Sequence, residues 1–321
     1  MAGEAGRPRV VVTRRVPGDV RDTLEESFDV RFHDSLRPLA RAELLALVAG
    51  ADGLVTMLTD RVDDELLDAA GPQLRVVANY AVGLDNVDLE AAQGRGIVVA
   101  NTPDVLTVDT AQLTLALLLA LARRVAEGDR FLRAGEEWAW APTFMLGTSL
   151  DGRTLGIVGL GRIGKEVARL AEAFGMNVVH TGGRAPEGSS YEAVELGELL
   201  RSADVVSLHC PLTPETRHLI DEAALEAMQS HALLVNTARG PVVDERALVR
   251  ALERGAIAGA ALDVFEDEPE IFPPLLRLPN VVLTPHLASA TAETRSAMGR
   301  LCVEALRAVL LEGRTPPNAV P

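Results

Sequence analysis

Lysine is almost missing from this sequence. Of its 31 basic residues only Lys165 is a lysine, so chemistry that needs a lysine nucleophile has a single candidate. Basic residues are outnumbered by 46 acidic ones, for a net charge of −15. Such a field repels phosphate backbones and offers no basic stripe to release counterions, so nucleic-acid binding is not expected. Long hydrophobic runs are missing too. The longest, Leu115 to Ala122, falls far short of the roughly 20 residues of a membrane helix, and no membrane span is expected. Cysteine is scarce: Cys210 and Cys302 form neither a CxxC pair nor a disulfide framework. The opening MAGEAGRPRV lacks the apolar stretch of a signal peptide, and a reducing cytoplasm is the expected setting.

What is present points to a soluble globular chain. Its 321 residues suit about two domains, and 48% apolar with 24% charged residues is not the balance of a disordered protein. Short β-branched apolar runs alternate with helical stretches, which predicts an α/β fold with parallel sheets covered on both faces. The first third reads as one small doubly wound unit, with strands near Val10–Thr13, Leu54–Met57, Arg75–Asn79 and Ile97–Ala100 and helices such as Pro38–Ala49 and Asp63–Ala70. After Asn101-Thr102-Pro103, a plausible hinge, comes a long apolar helix from Ala111 to about Val125. Trp138 and Trp140, the only tryptophans, follow in a loop-like stretch that reads first as a surface loop packed down by aromatics.

From Arg153 the period is regular: strand Thr154–Val158, helix Arg162–Phe174, strand Asn177–Thr181, helix Glu195–Arg201 and strand Val205–His209. Further strands are predicted at Leu233–Asn236, Ala260–Val264 and Val281–Thr284. The last helix, Thr291 to about Leu311, has no strand of its own and is expected to return to the first domain. The domains are then 1–101 with 287–321, and 102–286.

The predicted strand TLGIV runs into Gly159-Leu160-Gly161-Arg162-Ile163-Gly164 and then directly into a helix. In that setting the glycines serve a tight turn, a close approach to a pyrophosphate and tight helix–strand packing, which predicts dinucleotide binding. Gly159, Gly164 and Lys165 also fit a P-loop, but Glu166 stands where a magnesium-ligating Ser or Thr must be. That reading is rejected, and no metal site is expected. At the end of the second strand, where NAD sites place an acid, the chain has Thr181-Gly182-Gly183-Arg184 and no acid between Met176 and Pro186. The guanidinium suits a 2′-phosphate and predicts NADPH over NADH; the alternative is that Arg184 is a solvated loop residue.

Ligands of doubly wound sheets sit beyond the carboxyl ends of strands. Three residues there carry chemistry: Arg239 after LLVNTA, Glu268 after ALDVFED and His286 after VVLTP. An Arg grips a carboxylate with its planar fork, a His donates a proton near neutral pH, and a carboxylate orients that His. Singly, each also fits a structural part: an ion pair, an exposed loop acid, a satisfied strand-end His. Together, at one sheet edge beside a dinucleotide site, they predict catalysis.

The strings NYAVGLDNVDL, NTPDVLT, GRTLGIVGLGRIG, HCPLTPETRHLI, LVNTARGPVVDE, AGAALDVFEDEP and VVLTPHLASAT resemble the D-2-hydroxyacid dehydrogenases over nearly the whole chain, most of all the glyoxylate/hydroxypyruvate reductases among them. The resemblance implies a flavodoxin-like substrate domain, a Rossmann domain and a homodimer. It implies Arg239 as carboxylate binder, Glu268 as the acid orienting the His, and His286 as proton donor. It further implies a second carboxylate anchor in the amides of Val82 and Gly83. Cofactor contacts are implied at Thr107, the glycine turn, Thr181, Gly182, Arg184, Cys210, Pro211 and Thr237-Ala238-Arg239, with Asp263 near the nicotinamide amide. GEEWAWAPTFMLG resembles an arm whose Trp, Trp138 or Trp140, reaches the partner's substrate pocket, and Met57 and Leu58 are expected to share in setting pocket size. One departure is that Gly183 sets Arg184 one position later than the family's Arg.

The implied reaction is hydride transfer from NADPH or NADH to a small 2-oxoacid, with Glu268 expected to raise the pKa of His286 above its reference of about 6.5. Closure about hinges near Asn101 and His286 is expected to exclude water. Glu268 argues against a formate-dehydrogenase variant, which the resemblance gives a Gln partner for the His. From the short stretch after His286, the added domain of longer phosphoglycerate dehydrogenases is not expected. A short phosphoglycerate-type enzyme and a dinucleotide-sensing corepressor-like binding protein remain as alternatives.

Overall fold

The computed structural model describes residues 6–320. They form two compact units, one running to Leu106 and resuming at Thr291, the other Thr107–Ala290. The first unit alternates β1 (Arg9–Val12), α1 (Gly18–Ser27), β2 (Asp29–Phe32), α2 (Arg41–Val48), β3 (Gly53–Thr56), α3 (Asp64–Ala70), β4 (Val76–Asn79), α4 (Leu89–Gly94) and β5 (Val98–Ala100). All five strands are parallel in the order β2-β1-β3-β4-β5, the flavodoxin-like winding. Every residue of β3 and β4 is buried, which is why both read as unbroken apolar runs. The edge strand β2 has an exposed/half-buried alternation, DVRF, and with α1 was not anticipated. Asp63 starts α3 by accepting the amide of Leu66 at 3.2 Å, and Leu66 and Leu67 behind it are sealed, worth roughly 1.5–3 kcal/mol each.

The second unit opens with α5 (Thr107–Ala122) and α6 (Val125–Arg133). The sequence predicts one helix to about Val125; it stops at Ala122 instead. Arg124 turns left-handed at φ 55°, and the Ala122 carbonyl is taken by the amide of Thr148 at 2.8 Å. The chain then proceeds through β6 (Thr154–Leu160), α7 (Arg162–Glu172), β7 (Asn177–Gly183), β8 (Glu192–Ala193), α8 (Leu196–Ser202), β9 (Val205–Leu208), α9 (Glu222–Ala227), β10 (Leu233–Asn236), α10 (Glu245–Glu253), β11 (Gly259–Leu262) and β12 (Val281–Leu283). The seven parallel strands lie in the order β12-β11-β10-β9-β6-β7-β8, a Rossmann winding that reverses between β6 and β9. Leu155 and Ile157 of β6 point to the face covered by Leu118 and Val167, while Val158 points to the face covered by Leu199 and Leu248. Strand alternation thus divides the apolar residues between two cores.

The last helix, α11 (Ala292–Leu310), is capped by Thr291, whose Oγ1 accepts the amide of Thr294 at 3.2 Å, and packs on β4 and α1 in the first unit. The chain changes units at 106/107 and 290/291, whereas the sequence reading puts the crossings at 101/102 and 286/287. Residues 101–105 stay with the first unit through bonds from the amides of Asn101 and Thr102 to the carbonyls of Asn318 and Ala81, and from Thr294 Oγ1 to Val105 O. Among the described residues no helix is long and apolar enough to cross a membrane.

Candidate active site

The glycine turn sits where β6 meets α7. Gly159 has φ +95°, and a Cβ there would come within 2.7 Å of the Cys210 amide nitrogen just past β9. A Cβ on Gly164 would lie 2.4 Å from the Gly159 carbonyl, so only glycine lets α7 start this close to the strand. Gly161 opposes open space instead. It is the N-cap of α7, where no side chain caps the helix and no acid occupies the first turn. Uncapped amides at a helix start, beside space left by a missing Cβ, fit a pyrophosphate. Leu160, expected among the cofactor contacts, is 1% exposed and its side chain belongs to the core. Lys165 is exposed, and Glu166 pairs with Arg169.

At the second strand end, β7 extends two residues past its predicted stop, and Gly183 pairs with Leu160. Gly182 and Gly183 are exposed and left-handed, and Arg184 is exposed just after them, with Thr181 half-buried. Pro211 is exposed and Cys210 half-buried, its thiol pushed up by burial. Thr107 is the half-buried first residue of α5.

Beyond β10, Asn236 braces the next turn: its Nδ2 donates to Arg239 O at 2.9 Å and its Oδ1 accepts the Ala238 amide at 3.0 Å. The Thr237 hydroxyl lies 2.8 Å from that of Thr114, and both are buried, so its side chain ties the strand end to α5. Arg239 is half-buried, with Nη1 donating to Ala238 O. Beyond β11 and β12 the pairing is direct: His286 Nδ1 stands 2.7 Å from Glu268 Oε2. A carboxylate only accepts, so Nδ1 carries the hydrogen and Nε2 is the nitrogen left for chemistry. Glu268 Oε1 accepts the Phe265 amide at 3.0 Å, which fixes the carboxylate plane.

His286 is itself left-handed, φ 53°, and Asp263 is what holds it there. The Asp263 carbonyl accepts the His286 amide at 2.8 Å. Its carboxylate accepts the Thr284 hydroxyl at 2.6 Å and the amides of Leu287 and Ala288 at 2.7 and 2.8 Å. Burial pushes the Asp263 carboxyl up, and these donors act against that shift. Expected near the nicotinamide amide, Asp263 is wholly buried, and its visible work is to shape the turn that carries His286. That task was not legible in the sequence, where Asp263 is one of several acids in ALDVFEDEP.

The remaining expected residues are local to loops. In the first unit Leu58 and Met57 are half-buried after β3, where Asp60 Oδ2 accepts the Met57 amide at 2.8 Å. After β4, Asn101 and Asn79 hold the carbonyls of Val82 and Gly83 at 2.9 and 3.0 Å, while neither amide donates to a carbonyl or side chain among the described residues. In the second unit the Trp segment is not packed down. Trp140 is 81% exposed, and Trp138, 59% exposed, stacks on Phe144 at 6.4 Å between centroids.

The family described as D-isomer specific 2-hydroxyacid dehydrogenase, NAD binding domain, matches residues 115–288, a span holding the glycine turn, Arg239, Glu268 and His286. A glyoxylate reductase of Aeropyrum pernix is 50% identical over 98% of this chain and 96% of its own. A solved structure of a protein from Thermus thermophilus superposes with TM-score 0.91 at 53% identity, covering 98% of this chain and all of that one. An NADPH-dependent glyoxylate/hydroxypyruvate reductase of Sinorhizobium meliloti, solved with NADP and malonate, gives 0.85 at 37% identity over 98% and 97%. The chain belongs to the D-isomer specific 2-hydroxyacid dehydrogenases and is an NAD(P)-dependent oxidoreductase.

Proposed function

We propose that this dehydrogenase reduces glyoxylate and hydroxypyruvate to their 2-hydroxy acids, with His286 as proton donor. The observation that carries the reading is the 2.7 Å contact of His286 Nδ1 with Glu268, which points the proton inventory of the ring at Nε2. When bound, the reduced nicotinamide supplies the hydride. The chain does the rest. The Arg239 fork grips the substrate carboxylate. His286 Nε2–H gives its proton to the carbonyl oxygen, so oxyanion charge does not build up uncompensated. Glu268 keeps the ring in one tautomer and faces the cation that precedes transfer.

The proposal extends to NADPH as preferred cofactor, since β7 ends in two glycines and is followed by the exposed Arg184, with no carboxylate until Glu187. It extends also to a homodimer formed through α6 and the Trp segment, where Val125, Leu132, Trp140 and Leu146 are all more than half exposed. Both cysteines are free, which suits the cytoplasm. Absorbance at 340 nm decides the main claim: NADPH is consumed with either oxoacid, and faster than NADH. No consumption with either cofactor overturns the reading, and a faster rate with NADH overturns the cofactor preference.

A further inference from the structure

His218 sits in the loop before α9, apart from the reacting groups, yet it touches two of the turns that present them. Its Nε2 is 2.5 Å from Glu266 Oε1, and its amide donates to Pro241 O at 2.8 Å. Pro241 is two residues beyond Arg239, and Glu266 two before Glu268. The residue holds φ +51°, a left-handed conformation uncommon for a side chain with a Cβ, and these two bonds fix it. Glu266 is tied further: its amide donates to Glu245 Oε1 at 2.9 Å, and its Oε2 accepts the Glu245 amide at 3.4 Å. Glu245 opens α10, nearly buried, its carboxyl pushed up by burial and by the charges of Glu266, Asp267 and Glu268. The two turns themselves touch. A Cβ on Gly240 would fall 1.9 Å from the carbonyl carbon and oxygen of Phe265, so the turn of Arg239 rests on the backbone that presents Glu268.

We propose that His218 is a positioning residue that locks the Arg239 turn to the Glu268 loop, so that the carboxylate fork and the proton donor's partner are held in one frame. Glu266, Asp267 and Glu268 from one loop and Glu245 from α10 crowd carboxylates together here, and the His218 ring answers them as a hydrogen-bond donor to Glu266. The proposal rests on the reading of Arg239, Glu268 and His286 above. Small errors in such a frame are costly, because an ångström of misplacement lowers turnover by up to about a hundredfold.

The test compares the full-length wild type with His218→Leu and His218→Gln. Glutamine carries its Nε2 the same number of bonds from the backbone and can donate to Glu266; leucine cannot. For His218→Leu, kcat with glyoxylate should fall by about ten- to a hundredfold with a raised KM for the oxoacid. NADPH affinity, read by nucleotide fluorescence, and the thermal midpoint should match those of His218→Gln, which recovers most of kcat. Amide hydrogen exchange at 238–241 and 265–268 should quicken in the leucine variant alone. That readout needs no turnover, so it separates this inference from the proposed reaction: an inactive wild type sinks the reaction, and exchange still decides the frame. Equal kcat in wild type and His218→Leu, equal loss in both variants, or unchanged exchange overturns the proposal.

Discussion

Two kinds of connecting segment in the second unit carry its most conspicuous residues, yet they are built in opposite ways. The turns after β10, β11 and β12 are cross-braced. Asn236, Glu268, Asp263 and His286 each place a side chain on a neighbouring backbone group or side chain. The stretch from Gly135 to Ser149 has few such ties, the amide of Thr148 on Ala122 O being one, and it leaves its aromatics exposed. Polar bonds fix direction, whereas exposed apolar area gains free energy only when something covers it. The first construction suits chemistry within a chain and the second suits association.

Substitutions should therefore split cleanly between the two. The largest effect is expected for His286→Ala, with kcat/KM for glyoxylate down by about 10²–10⁴-fold, while NADPH binding measured by fluorescence stays close to wild type. Asp263→Asn comes next. It sets an NH₂ group against the donors of Thr284, Leu287 and Ala288, so the thermal midpoint should drop by the equivalent of about 1–3 kcal/mol, with kcat falling alongside. An unchanged midpoint removes Asp263 from its role in the turn. On the other side of the comparison, Trp140→Ala should leave the folded chain's stability within about 0.5 kcal/mol. The same substitution should weaken self-association in sedimentation velocity, and a dimer of unaltered strength would separate the Trp segment from assembly.

A separate effect is expected on acid stability. Burial pushes the His209 imidazole down to about 4, and its Nε2 lies 2.8 Å from Ser207 Oγ. Between a reference of about 6.5 and that value, the unfolded chain takes up a proton that the folded chain does not. Stability is full above this window and declines as pH falls through it. His209→Asn should flatten the midpoint-versus-pH curve there, and an unaltered slope would rule out His209 as its source.

Much of this was legible before any fold was seen, for particular reasons. The glycine turn is a local device, and Gly159 and Gly164 could be assigned from six consecutive residues. Arg239, Glu268 and His286 stood out because each follows an apolar run that could only be a buried strand. The return of the chain at Thr291 was signalled by a helix with no strand beside it. Other features had no such signal. β2 is an edge strand whose half-exposed pattern resembles a loop. The stop of α5 falls at Ala122, where its carbonyl accepts the amide of Thr148, twenty-six positions away. Leu160 read as part of a binding turn, yet the strand's alternation turned it inward.

The two parallel sheets, the glycine turn and the candidate reacting groups were legible in the sequence, because alternation, steric freedom at glycine and side-chain chemistry are properties of a few adjacent residues. Tertiary structure alone decided that Asp263 would be buried to carry the His286 turn, and that His218 would reach Glu266 forty-eight residues on. Those bonds exist only once parallel register has brought the carboxyl ends of β10, β11 and β12 to one edge, and register is set by the packing of the whole sheet.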